Sequence, residues 1–471
     1  MTVDAVVVGA GPNGLTAAIT LLRQGRSVVV LEQADVVGGA CRSAESTLPG
    51  FIHDIGAAVM PLGVASPAWR DLPLEEHGLQ WVAPPAEFGQ PLDGGRAAVA
   101  YRDIGRTADG LGADGQRYRK LAEWLSRDWD KIEKSVLGPL IRVPRHPLTM
   151  ARFGLRGVQP ATSFLRGSGD DLYPALLAGC AAHAVLPLEK PLTASFGLLF
   201  LALTHNSGWQ YPKGGAGALT GALAGYLESL GGEIKLGHTV RAWGDLPDHR
   251  AAIFSTGPSA LATVAGDRLP HRMRKRFSRW RYGPGAFRVD FALDGPIPWT
   301  ALSLSQAGTV HVGGTLAQVA DAERKVADGK HPDNPFVLVA QPSIADSSRA
   351  PSGKHAVWAY CHVPNGSDVD MTERLTNQIE RFAPGFRDRI LAAHSIPPRE
   401  LEAMNPNLIG GDVGGGSHDG LGLVARPRLS PRPHRVTDRL FIGSASTPPG
   451  GGVHGMGGYW AARAALAGAL K

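Results

Sequence analysis

The stretch Val3–Glu32, VDAVVVGAGPNGLTAAITLLRQGRSVVVLE, decides the fold. Asp4–Val8 is a short apolar run suited to a central parallel strand, where both faces are covered. Gly9, Gly11 and Gly14 follow in GAGPNG, and Leu15–Gln24 then shows helical apolar spacing. Gly25 stops that helix, Ser27–Leu31 is a second strand, and Glu32 stands at its end. Strand, glycine turn, helix, strand and acid occur in the order a dinucleotide site needs. Gly9 allows the tight turn, Gly11 lets the backbone approach a pyrophosphate, and Gly14 lets the helix pack on the sheet. Pro12 and Asn13 complete the turn, and the helix N-terminus supplies free N–H groups and a positive dipole end. Glu32 is placed to accept both ribose hydroxyls and would repel a 2′-phosphate.

Working outward, the next glycines choose the nucleotide. Val36–Arg42 reads VVGGACR, and Gly38 and Gly39 can approach the same pyrophosphate from the other side, with Arg42 near to assist. That arrangement suits FAD held extended along the domain; a plain tight turn is the structural alternative. At the far end, Phe441–Tyr459 reads FIGSASTPPGGGVHGMGGY. A strand ends at Gly443, and glycines bracket Val453 and His454 before a last helix, Met456–Leu470. Such glycine density at a helix start implies a planar ligand pressed against backbone, with N–H groups available to a reduced flavin. Gly214–Gly221 (GGAGALTG) resembles a phosphate loop but lacks a convincing preceding strand, so it is taken as a helix start with close packing.

Between these ends the chain is mixed. A helix is expected over Asp114–Lys134, several short helices over 135–210, and a helix over Gly214–Leu230. Strands are expected at Glu233–Leu236, Ala251–Ser255, Arg288–Leu293, Thr309–Val312, Phe336–Gln341, Ala356–Val363 and Leu440–Gly443, with a helix at Met371–Ala383. The fold class is α/β: a discontinuous Rossmann-like FAD domain of residues 1–65, 210–285 and 415–471. A mixed-sheet and helical substrate or cap domain takes 66–209 and 286–414.

Composition bounds the rest. The 471 residues, 43% hydrophobic and 19% charged, exclude a disordered or peptide-like chain. The three cysteines, Cys41, Cys180 and Cys361, form no CxxC, no CxxxxC and no metal spacing, so a reducing, cytoplasmic setting and no metal are expected. The N-terminus reads as a buried strand and not a signal peptide, and no apolar run approaches about 18 residues. The net charge of +6 concentrates at His271–Arg281 (HRMRKRFSRWR) and Arg426–Arg435 (RPRLSPRPHR). These stretches read as solvated faces or helix ends that permit peripheral membrane contact. They lack the interleaved aromatics of a nucleic-acid groove, so no nucleic-acid partner is expected.

Taken together with Gly50–Ala57 (GFIHDIGA), Tyr211–Gly217 (YPKGGAG), Gly283–Trp299 (GPGAFRVDFALDGPIPW), Asp346–Gly353 (DSSRAPSG) and Asn405–Gly416 (NPNLIGGDVGGG), these motifs carry a resemblance. The chain resembles the phytoene-dehydrogenase-related FAD-dependent oxidoreductases, in the branch of the pyridine nucleotide-disulfide oxidoreductase domain-containing 2 protein. The resemblance covers nearly the whole length and implies the flavin amine oxidase fold with non-covalent FAD. It implies ADP contacts at Gly9, Gly11, Gly14, Glu32, Gly39 and Arg42. Val240, in the strand after the Gly214 helix, matches the adenine contact, and Gly257 lies near the ADP. Gly443 and Ser444 match the pyrophosphate and ribityl contact, and Val453, His454, Gly455 and Met456 match the residues lining the flavin ring. The "disulfide" of the branch name does not suit this cysteine spacing.

His454 is the candidate catalytic group beside the ring; the alternative is an imidazole filling a helix start. His53, Asp54, Trp209, Tyr211 and His418 are further candidates, each with a packing or loop role as its alternative. The reaction expected is dehydrogenation or desaturation of a largely apolar molecule by hydride transfer to flavin N5, with oxygen, a quinone or another carrier as electron acceptor. A flavin-dependent isomerase or saturase, an amine oxidase, and a flavin-binding interaction protein without turnover remain open.

Overall fold

The computed structural model describes residues 2–471. A five-stranded parallel sheet runs in the order Leu440–Ile442, His249–Phe254, Val3–Val8, Val28–Leu31, Glu233–Lys235. Ala5 pairs with Ala251 on one side and Val28 on the other, so the Val3–Val8 strand is central. Val6, Val7, Val29 and Val30 are buried, as strands covered on both faces require. On one face, helix Pro12–Leu22 packs between Ala216–Ser229 and Met456–Leu466, joining Leu15, Leu219 and Ala461 in one core. On the other, Pro258–Ala265 and His271–Ser278 bring Leu261 and Phe277 onto Val6 and Val8. The parallel sheet thus takes strands from three separated parts of the chain.

A second, seven-stranded sheet is ordered Ile390–Ile396, Gly285–Leu293, His355–Val363, Val337–Ala340, Ala307–Val312, Ala86–Leu92, Arg96–Ala100. Its pairings are antiparallel except between Ala307–Val312 and Ala86–Leu92. Side chains alternate between its faces. Phe287, Val289, Val339 and Val357 point to a core closed by Leu375, Ile379 and Phe382 of helix Thr372–Phe382. Ala286, Arg288, Leu338, Trp358 and Tyr360, at the intervening positions, face the central cavity. Helices Gly115–Arg127, Trp129–Val136, Leu172–Ala182 and Thr193–Asn206 cover the Ala86–Ala100 end of this sheet around Tyr118, Trp124, Leu176 and Leu201.

The expected elements occur with shifted ends, and four points differ. The helix expected over 114–134 is two, because Asp128 leaves helical geometry at φ −98°, ψ 9°. The turn there lets Trp129 and Ile132 join Tyr118 and Leu125 in the core. Val240 lies in an irregular segment beyond the Glu233–Lys235 strand, not within it. Helices Pro258–Ala265, His271–Ser278 and Leu316–Ala327 and the edge strand Ile390–Ile396 were not anticipated. The basic helix His271–Ser278 buries only Phe277, so its charge masks its period. Lastly, the two basic stretches meet: Arg276 donates from Nε to the Pro427 carbonyl at 2.7 Å and from Nη2 to that of Ala425 at 2.9 Å. Arg426 between them is fully buried, which corrects its reading as surface charge. It donates to the carbonyls of Gly414, Gly416, Gly422 and Ala445, and so ties the late glycine loops together.

Candidate active site

One cavity of about 470 Å³ runs between the two sheets. Its first end is made mostly of backbone. Gly9 turns at φ +98°, and a Cβ on Gly14 would collide with the Gly9 carbonyl oxygen, so the turn and the helix start are locked together. A Cβ on Gly11 would meet no protein atom nearer than the Gly38 carbonyl oxygen at 3.9 Å. Absence of a side chain there leaves the backbone bare at the cavity wall, beside first-turn N–H groups that have no carbonyl one turn earlier to bond. Gly38 donates to the Ala10 carbonyl at 2.9 Å, and this sets the second glycine pair against the first turn. Glu32 is buried, with Oε2 accepting from the Ala10 N–H at 2.7 Å and Oε1 from that of Ala34 at 3.0 Å. Those bonds fix the carboxylate at the end of its strand, and each oxygen keeps a further lone pair.

Gly9, Gly11, Pro12, Asn13, Glu32, Gly39, Arg42, Val240, Gly257, Ser444, Val453 and His454 all line this cavity. Gly14, Gly443, Gly455 and Met456 do not. Gly443 takes its place because a Cβ would press on the Gly457 carbonyl and Ala461, and Gly455 sits against Trp69. Met456 is buried in the helical core. These four shape the walls rather than form them. The walls fit a dinucleotide carrying a flavin: bare glycine backbone meets the half-buried Arg42, whose buried Nε has no partner and whose Nη2 reaches only the Met404 carbonyl at 3.4 Å. An anionic diphosphate there would satisfy the guanidinium.

His454 is 2% exposed and its Nδ1 accepts the Met456 N–H at 3.1 Å, which caps the last helix. Its own carbonyl accepts from the Ser66 hydroxyl at 2.6 Å. Burial pushes its pKa down to about 4, against the weaker pull of the Gly451 and Gly450 carbonyls. It is therefore a neutral imidazole near pH 7, with its proton on Nε2. It combines both readings of the sequence: a cavity-lining group and a helix-start cap.

Other candidates separate clearly. Asp54 is fully buried, accepts from the Ala216 N–H and the Ser43 hydroxyl, and pairs with the buried Arg349 at 2.7 Å. It is a clasp that starts the Ala216–Ser229 helix and ties it to the second sheet's connection. His53 bonds the Thr47 hydroxyl and is kept neutral chiefly by desolvation. Neither side chain lines the cavity. His418 bonds the Ala184 carbonyl at 2.8 Å, away from the cavity, and burial pushes its pKa down to about 3. Tyr211 is core, donating to the Gly308 carbonyl, whereas Trp209 does line the cavity.

Apart from Trp209, the residues of the second end of the cavity were not foreseen. Leu62, His183, Phe200, Trp209, Leu338, Trp358 and Tyr360 form it, with Arg288 at its edge. Arg288 is 2% exposed, pairs with Asp290 at 2.7 Å and donates to the Ile55 carbonyl. Asn405 and Asn407 were also missed as lining residues; Asn407 Oδ1 accepts from the Gly257 N–H at 2.8 Å, closing the wall beside the ADP end. The pair of amides around Pro406, just before a glycine run, was the signal that marked them.

Comparison with known proteins agrees with this geometry. The family model described as an NAD(P)-binding Rossmann-like domain matches residues 7–72. The chain is 25% identical to the rat pyridine nucleotide-disulfide oxidoreductase domain-containing protein 2, over 98% of this chain and 92% of that protein. It is 25% identical to a phytoene dehydrogenase of Streptomyces griseus, over 85% of this chain and 79% of that one. Among solved structures, wild-type putrescine oxidase bound to putrescine superposes with a TM-score of 0.61 at 18% identity, covering 99% of this chain and 98% of that chain. No disulfide chemistry follows from the rat protein's name, since Cys41, Cys180 and Cys361 are free and buried and burial pushes all three thiols up. Over most of its length the chain is thus similar to phytoene-dehydrogenase-related oxidoreductases, and it is built on the flavin amine oxidase fold.

Proposed function

We propose that this oxidoreductase dehydrogenates or desaturates a largely apolar organic molecule held at the aromatic end of the cavity. The observation that carries this reading is the lining itself: Leu62, Phe200, Trp209, Leu338 and Trp358 line one end, continuous with the glycine-walled end. Bound FAD supplies a hydride acceptor at N5. The chain's own residues do the rest. Gly9, Gly11, Pro12, Asn13, Gly39 and Arg42 hold the diphosphate, Glu32 the ribose, and Val240 and Gly257 the adenine side. Ser444, Val453 and His454 face the flavin, while Gly14, Gly443, Gly455 and Met456 fix the turns that carry them. The aromatic walls exclude water and orient the substrate. His454, neutral and tied to the Met456 N–H, orients the flavin-side loop and does not serve as a free base near pH 7. The name of the Streptomyces relative supports an unsaturated apolar substrate.

The electron acceptor is proposed to be oxygen, a quinone or another carrier. No helix among the described residues is long and apolar enough to cross a membrane. A peripheral membrane contact finds its support in residues 138–158. Val143, Leu148, Leu155 and Val158 are exposed there, and Leu148 and Leu155 lie one above the other on the outer face of helix Pro147–Gly157. No Asp or Glu occurs from Lys134 to Gly169, whereas Arg142, Arg145, Arg152 and Arg156 do. That surface, not the two basic stretches packed on each other, is the one suited to anionic lipid.

The test is the visible spectrum of the purified protein followed by anaerobic titration with apolar alcohols, amines and polyenes. Flavin bands that bleach with an alcohol or polyene support the reading. Bands that no donor bleaches favour an isomerase or a flavin-binding interaction protein. A colourless protein that takes up no FAD sinks it.

A further inference from the structure

The nucleotide end of the cavity is closed by a turn that the second sheet carries. Helix Pro398–Met404 sets Leu401 on Ala286 and Ile396 of that sheet, with Met404 and Leu408 packed beside them. Asn405, Pro406 and Asn407 follow the helix at once. Pro406 takes the second position of a turn in which the Asn405 carbonyl accepts the Leu408 N–H at 2.9 Å. Glu402 Oε2 accepts the Gly410 N–H at 2.7 Å and fastens the far side of the turn. The turn thereby reaches the glycine wall: Asn405 and Asn407 line the cavity together with Gly11, Gly39 and Arg42, and the Met404 carbonyl meets Arg42 Nη2 at 3.4 Å.

The hydrogen bonds of the turn all run one way. The Gly257 N–H goes to Asn407 Oδ1 at 2.8 Å, which turns Asn407 Nδ2 toward Asn405. Asn405 Oδ1 receives that Nδ2 at 3.2 Å and the Asn407 backbone N–H at 3.1 Å. Turning the Asn405 amide over would set its NH2 against both donors, so its orientation is fixed. Its Nδ2 is left on the opposite edge, where it gives no hydrogen bond to protein among the described residues. A Cβ on Gly39 would stand 3.6 Å from that nitrogen and 3.5 Å from the Gly11 Cα. Asn405 Nδ2 and the bare backbone of Gly11 therefore border the same point over Gly39. Amides linked head to tail in this way strengthen the last donor of the row.

We propose that Asn405 is a diphosphate-binding residue, donating from Nδ2 to a phosphate oxygen of the dinucleotide. The inference rests on the reading of this end as the FAD site. A phosphate suits the place better than a ribose hydroxyl does. The groups bordering it, the first-turn N–H groups and Arg42, offer donors and no acceptor, whereas a ribose has its carboxylate at Glu32. The cofactor held so is gripped from both sheets, and the second sheet serves the nucleotide as well as the substrate.

The test uses the FAD-loaded protein. Release of FAD on dilution is followed by flavin fluorescence, with ADP and adenosine as competitors that possess or lack the diphosphate. Asn405→Asp keeps the oxygen that Asn407 bonds and puts a carboxylate oxygen where Nδ2 stands. It is expected to weaken FAD and ADP by about a hundredfold and adenosine by less than about twofold. Asn405→Ser, whose hydroxyl can still serve the turn but which lacks the amide donor, should weaken FAD and ADP by about tenfold; it reads the same contact if Asn405→Asp fails to fold. FAD and ADP affinities unmoved in the folded variants would overturn the proposal. So would adenosine weakened in step with ADP, since the turn would then support the site without touching phosphate. An unaltered protein that holds no flavin would overturn the cofactor reading itself, and this inference with it.

Discussion

The two ends of the cavity are built from different materials. The nucleotide end is a wall of backbone: a methyl group on Gly14 or Gly38 would run into neighbouring backbone, Gly9 and Gly39 hold left-handed φ, and Gly11 leaves its backbone bare to the cavity. The aromatic end is a wall of side chains from seven positions scattered between Leu62 and Tyr360, each supported by packing and able to be exchanged for a neighbour of like shape. On the proposed reading, the backbone wall takes the diphosphate and ribose common to the cofactor, and the side-chain wall takes the substrate.

The contrast can be broken most severely at Gly14. Gly14→Ala drives a Cβ into the Gly9 carbonyl and is expected to cost about 4 kcal/mol or more and to abolish flavin retention. Calorimetry and the absorbance of gel-filtered protein check this; a variant that melts normally and stays yellow removes the rigid-wall argument. Acid tests the buried histidines of both ends and of the core around them. His183 and His418 are pushed down to about 3, His434 and His454 to about 4, and His311 well below its usual range, all chiefly by burial. Their unfolded forms take up protons near pH 6.5 while the folded forms stay neutral, so stability must fall as pH drops from about 6.5 toward 4. Each group can contribute up to about 1.4 kcal/mol per pH unit. A melting temperature flat across that window would contradict their burial. The smallest effect belongs to His454→Ala, which removes the acceptor for the Met456 N–H and should cost about 1 kcal/mol while shifting the flavin potential. ADP affinity should hold, because the nucleotide end is untouched; equal losses at both ends would show that the walls are not independent.

How far the sequence could be read follows the same division. GAGPNG, Glu32 and VVGGACR are contiguous, and their spacing encodes geometry directly, so the parallel sheet and the nucleotide wall were visible. His454 was visible because it stands in a glycine run. His183 and Phe200 were not, since the one directly follows and the other sits in a helix whose apolar residues look like core in every direction. Arg288 lies on a strand buried on both faces, where alternation carries no polar signal beyond Arg288 and Asp290 themselves. Asp54 was read as a turn former because its partner Arg349 lies almost three hundred positions away. Side chains that meet only through tertiary structure leave no period in the chain.

The position of the Leu440–Ile442 strand has a consequence for how the molecule is made. It pairs with His249–Phe254, next to the first strand of all, and the loop that follows it brings Ser444, Val453 and His454 to the cavity. A chain leaving the ribosome can form its first strand and turn early, but it cannot complete this cavity wall until residues 440–454 have emerged. Cofactor capture is therefore a late event, and a nascent chain must carry an open apolar cleft throughout synthesis.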